Sequence, residues 1–183
     1  LTEIRSGLQE TLELKPDAIV TTGGISAGDL DHIREVAREM GDDVQIRKVA
    51  MKPGKPLVDG LIGGVPFFGL PGNPAACLVP FEIFVRPALA RMEGRTDGIL
   101  PQRCGVLKAE RSVPASDRLR LLRGRATADP DGGADVIEIP SGQGSHLLSG
   151  FAGSNCLVVA PPSTEVLRPG ERVNYWSLTD EEA

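Results

Sequence analysis

The sequence is poor in aromatic residues (4%), in histidine (two) and in cysteine (three). Each shortage narrows what the chain can do. His32 and His146 have no partner at metal-ligand spacing, which argues against a histidine metal centre and leaves packing or surface roles. Cys77, Cys104 and Cys156 are an odd, widely spaced set. They match neither a zinc site nor a disulfide framework; they suit a reducing cytoplasm and read as small buried hydrophobes. No run of about 18 apolar residues occurs, so no membrane span is expected, and no signal peptide is visible. There is no nucleophile elbow, dinucleotide fingerprint or P-loop. Basic residues are in the minority: the net charge of −5 weighs against broad nucleic-acid binding but leaves room for a local basic pocket. The first residue is Leu rather than Met, so the chain reads as an excerpt of something longer.

What is present is ordinary for a folded protein: 183 residues, 40% hydrophobic and 25% charged, enough for one large domain or two small ones. Leu1, Ile4, Leu8 and Leu12 have helical spacing, ended by Pro16. AIVTT (18–22) reads as a short buried strand of the parallel type. After a Gly-rich loop, Asp29 or Asp31 can cap a helix with Ile33, Val36, Ala37 and Met40 on its core face and Gly41 at its end. Residues 44–50 alternate like a strand, and 66–70 make another. Asn73 as N-cap and Pro74 at the first position open a helix that runs to about Met92, with a kink or break expected from Pro80 and Pro87. This order describes an α/β layered domain over 1–94, truncated at its start because such a sheet normally has a strand before this helix. GRTDG (94–98) reads as a linker. Beyond it, strand-like pieces near 103–109, 118–126, 135–139, 156–160 and 172–176, separated by turn signals, predict a small all-β barrel or sandwich over 98–183.

Three stretches could carry chemistry. TTGGISAGDLD (21–31) follows a strand and precedes a helix, so its backbone N–H groups suit a phosphate; Ser26 can donate, and Asp29 and Asp31 could hold a divalent ion. A tight turn with an Asp cap is the alternative. MKPGKP (51–56) sets Lys52 and Lys55 around Pro53 and Gly54, a rigid turn that could aim both cations at one anion, or a solvated turn. LPGNP (70–74) is a stiff helix start, with Asn73 able to touch a ligand. In the second half, DRLRLLRGR is the densest basic segment. Period two puts Arg118 and Arg120 on one face and Arg123 and Arg125 on the other, and a charged edge strand would look the same.

These motifs, in this order, resemble the molybdopterin molybdenumtransferase family, which acts last in molybdenum-cofactor assembly. The matching residues are Thr22-Gly23-Gly24-Ile25-Ser26 with Gly28 and Asp31, then Val49 to Pro56, then Gly69-Leu70-Pro71-Gly72-Asn73-Pro74. Gln143-Gly144-Ser145 and Arg168-Pro169-Gly170-Glu171-Arg172-Val173 are similar to that family's C-terminal β-barrel domain. The resemblance implies a truncated three-layer molybdopterin-binding domain followed by a small barrel. It implies insertion of molybdate into adenylylated molybdopterin, with release of AMP and help from Mg2+. By resemblance, Gly23, Gly24, Ser26 and Gly28 cradle the pterin or its phosphate, and Asp31, with Asp29, acts through magnesium. Lys52 and Lys55, around Pro53 and Gly54, hold molybdate or developing charge. Pro71, Gly72, Asn73 and Pro74 shape the pocket floor, and Arg123 and Ser145 contact molybdate. A homodimer in the cytoplasm is implied, with other molybdenum-cofactor biosynthesis proteins as further partners and neither nucleic acid nor membrane. The sequence departs from the pattern where Arg120-Leu121 stands for Glu-Phe and Asn155-Cys156 for Asn-Gly. A non-catalytic molybdopterin-binding or scaffold module, or a relative that adenylylates the pterin, is the alternative reading.

Overall fold

The structure is a computed structural model that describes residues 1–25 and 32–179. The first half holds a four-stranded sheet in the order β1-β5-β4-β2, built from β1 (Ile19–Thr22), β2 (Gly41–Lys48), β4 (Pro56–Ile62) and β5 (Val65–Leu70). β1 runs parallel to β5 as expected, but it is an edge strand and not a buried one, with Ile19 alone buried and Val20 exposed; the other pairings are antiparallel. Gly63 and Gly64, with φ of 57° and 80°, make the two-residue turn between β4 and β5.

Helices cover both faces, giving three layers. α1 (Thr2–Glu13) and α2 (Ile33–Met40) place Leu8, Val36 and Ala37 against Ile19, Val58, Ile62 and Phe67. On the other face α3 (Pro74–Pro80), a π-helical turn (Phe81–Val85) and α4 (Arg86–Met92) bring Val85 onto Leu57 and Leu70. The expected break at the prolines takes the form of that π turn. Pro80 has no N–H to donate back along the helix, and the ladder resumes with Arg86 N–H bonded to Phe81 O.

Gly41 ends α2 as expected, in extended backbone with φ −105° and ψ 157°. It is glycine because a Cβ there would lie 2.6 Å from Leu61 O and 2.7 Å from Ala37 O. Asn73 is the N-cap of α3, yet its side chain makes no capping hydrogen bond; its backbone carbonyl accepts from Cys77 N–H at 2.8 Å.

The second half is a closed five-stranded barrel. Its strands are β6 (Gln102–Leu107), β8 (Leu119–Thr127), β9 (Asp135–Glu138), β10 (Cys156–Ala160) and β12 (Arg172–Ser177), ordered β10-β12-β6-β9-β8 and closed by β8–β10. A short ribbon of β7 (Arg111–Ser112) and β11 (Val166–Leu167) lies beside it. The barrel is filled by Leu107, Leu122, Ile137, Val158, Val173 and Tyr175, whose hydroxyl donates to Asp135.

One strand crosses between the halves. β3 (Met51–Lys52) leaves the first half and pairs in parallel with β8. Met51 and Val79 then pack with Leu121 and Leu157 from the barrel's outer face in a shared apolar cluster. Among the described residues no helix is long and apolar enough to cross a membrane.

Because Leu157 is fully buried in the shared cluster, Leu157→Ala is expected to cost about 2–5 kcal/mol in urea unfolding. Leu148→Ala, at an exposed position, should stay within about 0.5 kcal/mol. The thiols give an independent check. Burial pushes Cys156 up to about 12, whereas Cys104 is exposed. Thiol labelling near neutral pH should therefore mark Cys104 in the native protein and Cys156 only after unfolding.

Candidate functional site: a cation-lined cleft between the two halves

The site begins where β1 and β5 end side by side. Gly23 N–H donates to Leu70 O at 2.8 Å, tying the TTGG loop to LPGNP. Gly23 has φ of 86°, and a Cβ on Gly72 would lie 3.3 Å from Gly23 Cα. A side chain on Gly72 would crowd the facing loop, and the left-handed φ of Gly23 disfavours any other residue there, so glycine at both positions suits the close approach of the two backbones. Beyond Gly72, Ala75 N–H donates to Ser145 O at 2.9 Å, which docks the 141–147 loop of the barrel onto the start of α3.

That loop is held by an unusual pairing along β8. One edge of β8 pairs with β10 over 120–124. The other pairs with β3 at 119–120 and with β9 at 125–127, leaving an interval between them. The Gln143 carboxamide fills part of it. Arg123 N–H donates to Gln143 Oε1 at 2.9 Å, and Gln143 Nε2 donates to Arg123 O at 2.9 Å. A side chain thus reproduces the two hydrogen bonds of a neighbouring strand. Asn155 does the same on the opposite edge: Ala126 N–H donates to its Oδ1 at 2.7 Å, and its Nδ2 donates to Ala126 O at 2.9 Å.

The rest of the interval opens into a cleft of about 500 Å³. Lys52, Arg111, Arg120 and Arg123 line it together with Ser145 and His146, and no Asp or Glu is among the described residues lining it. Arg123 is 2% exposed and Arg120 8%. Arg123 Nη2 donates to Gly142 O at 2.6 Å and Gly144 O at 3.2 Å, and its Cζ lies 5.2 Å from the centre of the Phe151 ring. Arg120 Nη1 donates to Pro114 O at 3.0 Å, and Arg111 Nη2 donates to Ser141 O at 2.9 Å. Among the described residues the buried Nε atoms of Arg120 and Arg123 have no acceptor. Burial depresses both guanidinium pKa values, with repulsion from Arg118 adding to the effect at Arg120. Two buried guanidiniums whose N–H groups carbonyls satisfy only in part, with the half-buried Arg111 and the exposed Lys52 beside them, are suited to an oxyanion. A second hollow, of about 470 Å³, shares Lys52 and adds Asp117, Arg118 and Glu165.

The structure therefore brings Lys52, Pro53, Arg123 and Ser145 to one cleft. Gly23, Gly72, Asn73 and Pro74 lie in the loops that meet the cleft's 141–147 wall through Ala75, with Gly24 and Pro71 adjoining them. Lys55 is exposed and does not line the cleft. Gly54, at φ 94°, presses on α3: a Cβ there would lie 2.5 Å from Pro80 Cγ. Ser26, Gly28, Asp29 and Asp31 lie outside the described residues. The sequence reading missed the parts played by Arg111, Arg120 and Gly150. A Cβ on Gly150 would sit 2.7 Å from Arg123 Nε, so glycine there seats the guanidinium. The density of arginines marked Arg120, whereas nothing local marks Gly150.

Gln143→Ala leaves two backbone groups of Arg123 without partners. It is expected to cost about 1–3 kcal/mol. It should also speed amide hydrogen exchange at Arg123 well beyond the global effect, whereas unchanged exchange at Arg123 would contradict the pairing.

Comparison with known proteins bears on the chain's family. A family model described as "Probable molybdopterin binding domain" matches residues 1–91, and one described as "MoeA C-terminal region (domain IV)" matches 107–178. The chain is 35% identical over 184 residues to a molybdopterin molybdenumtransferase of Staphylococcus aureus (strain COL), covering 99% of this chain and 43% of that protein. It is 36% identical over 168 residues to molybdopterin molybdenumtransferase 2 of Mycobacterium tuberculosis, covering 89% of this chain and 40% of that protein. The chain thus spans less than half the length of these curated relatives. Among solved structures, a molybdopterin biosynthesis moeA protein of Pyrococcus horikosii superposes with a TM-score of 0.71 at 29% identity, over 97% of this chain and 41% of that one. A molybdenum cofactor biosynthesis protein from Pyrococcus furiosus gives 0.64 at 25% identity, over 95% and 53%. Two domain models in sequence order, relatives over nearly all its length and the matching fold place the chain in the molybdopterin molybdenumtransferase family.

Proposed function

We propose that this chain supplies the oxyanion-binding cleft and the pterin-facing loops for insertion of molybdate into adenylylated molybdopterin, with release of AMP. The observation that carries this reading is the cleft itself: Lys52, Arg111, Arg120 and Arg123 around a space with no carboxylate lining it. Molybdate is a dianion and the adenylylated pterin carries further negative charge. At an effective dielectric near 20, bringing two unit charges to 4 Å costs about 4 kcal/mol, and pairs of higher charge cost more. The guanidiniums of Arg120 and Arg123, already desolvated in the folded protein, offset that cost without reorganising during the reaction, and the exposed Lys52 adds charge at the opening.

In this reading Lys52, Arg123 and Ser145 hold molybdate, and the Pro53-Gly54 turn aims Lys52. Gly23, Gly24 and the Pro71–Pro74 loop form the adjoining wall for the pterin and its phosphate, with Ser26 and Gly28 continuing it. Lys55, outside the cleft, meets charge that develops during exchange. Magnesium at Asp29 and Asp31 belongs to the proposal through the family resemblance alone. The described residues lining the cleft are cations and neutral groups. A homodimer, other molybdenum-cofactor biosynthesis proteins as partners, and a cytoplasmic setting are part of the same proposal, as is the division of the chain into units over 1–94 and 98–183.

The test is calorimetric titration of molybdate into the chain. Lys52→Ala should weaken binding by about tenfold or more, the loss of one charge-assisted contact. Lys55→Ala should change it by less than about threefold. If Lys52→Ala binds molybdate as the parent chain does, the assignment of the cleft fails.

A further inference from the structure

Arg120 lines the cleft at 8% exposure and has no carboxylate partner among the described residues. Of its five N–H groups, one meets the Pro114 carbonyl, while the buried Nε has no acceptor. Its neighbour is another cation: the parallel register of β3 and β8 sets Lys52 beside Arg120. Lys52 is exposed to water, and the cation whose repulsion is felt at Arg120 is Arg118, two positions back on the strand; an anion in the cleft offsets that repulsion. Arg123 serves the same cleft from the other face of β8, anchored by Gly142 and Gly144 rather than by Pro114.

The number of cations decides which anions such a cleft takes. Attraction to fixed cations grows in proportion to the charge of the anion, whereas the cost of stripping its water grows roughly as the square of that charge. A site with few cations therefore favours a monoanion over a dianion of the same shape. Each added cation shifts the balance towards the dianion. We propose that Arg120 is a charge-selecting residue: together with Lys52 it makes the cleft prefer tetrahedral dianions to tetrahedral monoanions of similar size. This rests on the reading of the cleft as an oxyanion site.

Molybdate and perrhenate, tetrahedral ions of similar size with two charges and one, separate charge from shape. Both are titrated into the chain and into Arg120→Gln, which removes the charge and keeps a polar side chain. The parent chain should favour molybdate by about tenfold or more, and Arg120→Gln should reduce that ratio by about tenfold. Arg120→Lys, which retains the charge, should hold the ratio within about threefold, and it carries the test alone if the Gln protein does not fold. A purely structural role would lower both affinities together. Equal losses for the two ions in Arg120→Gln, or a collapsed ratio in Arg120→Lys, would overturn the proposal while leaving the oxyanion cleft in place. A parent chain that binds neither ion would overturn both.

Discussion

The site depends on how the two edges of β8 are shared. β10 takes one edge, and β3 and β9 take the two ends of the other. Had β9 continued along β8 to meet β3, a hydrogen-bonded strand would occupy the space of the cleft. Instead, a single carboxamide from Gln143 satisfies Arg123 and stops. Backbone groups inside a barrel wall must be paired, and a side-chain amide pairs them while spanning one residue. The interval is thereby stabilised without being filled. Asn155 performs the matching task on the far edge, just before β10 begins.

The same device ties the two halves together. Gln143 belongs to the loop whose Ser145 carbonyl receives the Ala75 N–H, and whose Gly142 and Gly144 carbonyls receive the Arg123 guanidinium. Arg123 is therefore bounded by its own strand, by a loop docked on α3 and by Phe151. Removing an arginine from water is costly unless acceptors replace the lost hydration. Here the acceptors are neutral carbonyls, which satisfy N–H groups without cancelling charge. Carboxylates would have made a more stable local structure and an electrically silent one. Among the described residues the buried hydroxyl of Thr21, on β1, has no hydrogen-bond partner.

Much of the fold was legible because it is carried by local patterns. The strands at 102–107, 119–127, 135–138, 156–160 and 172–177 sit within a few residues of the alternating segments that predict them. The prolines at 80 and 87 mark the helix irregularity, and apolar AIVTT marks a parallel strand. What was not legible depends on distant contacts. Gly41 and Gly150 are glycines because remote atoms leave no room for a Cβ. Two residues, Met51 and Lys52, join a sheet whose other strands lie fifty or more positions later. No propensity distinguishes them from the strand residues beside them. The loops TTGG and LPGNP were legible as motifs, whereas their contact through Gly23 and Gly72 was not.

The arginine segment shows most clearly how far sequence reasoning reaches. Period-two alternation assigns Arg120 and Arg123 to opposite faces of β8, and the clusters agree, since Leu122 points into the barrel and Leu121 out of it. From faces alone the two arginines would serve different surfaces. They meet because the cleft opens at an edge of the strand, and an edge is reached from both faces when nothing pairs with it. Arg125, two residues on, stands where β9 pairs with β8, and it lines a different hollow with Lys108 and Glu138. Which of the arginines serve the cleft is thus decided by where β9 stops pairing, a long-range property of the barrel that the spacing of the arginines does not carry.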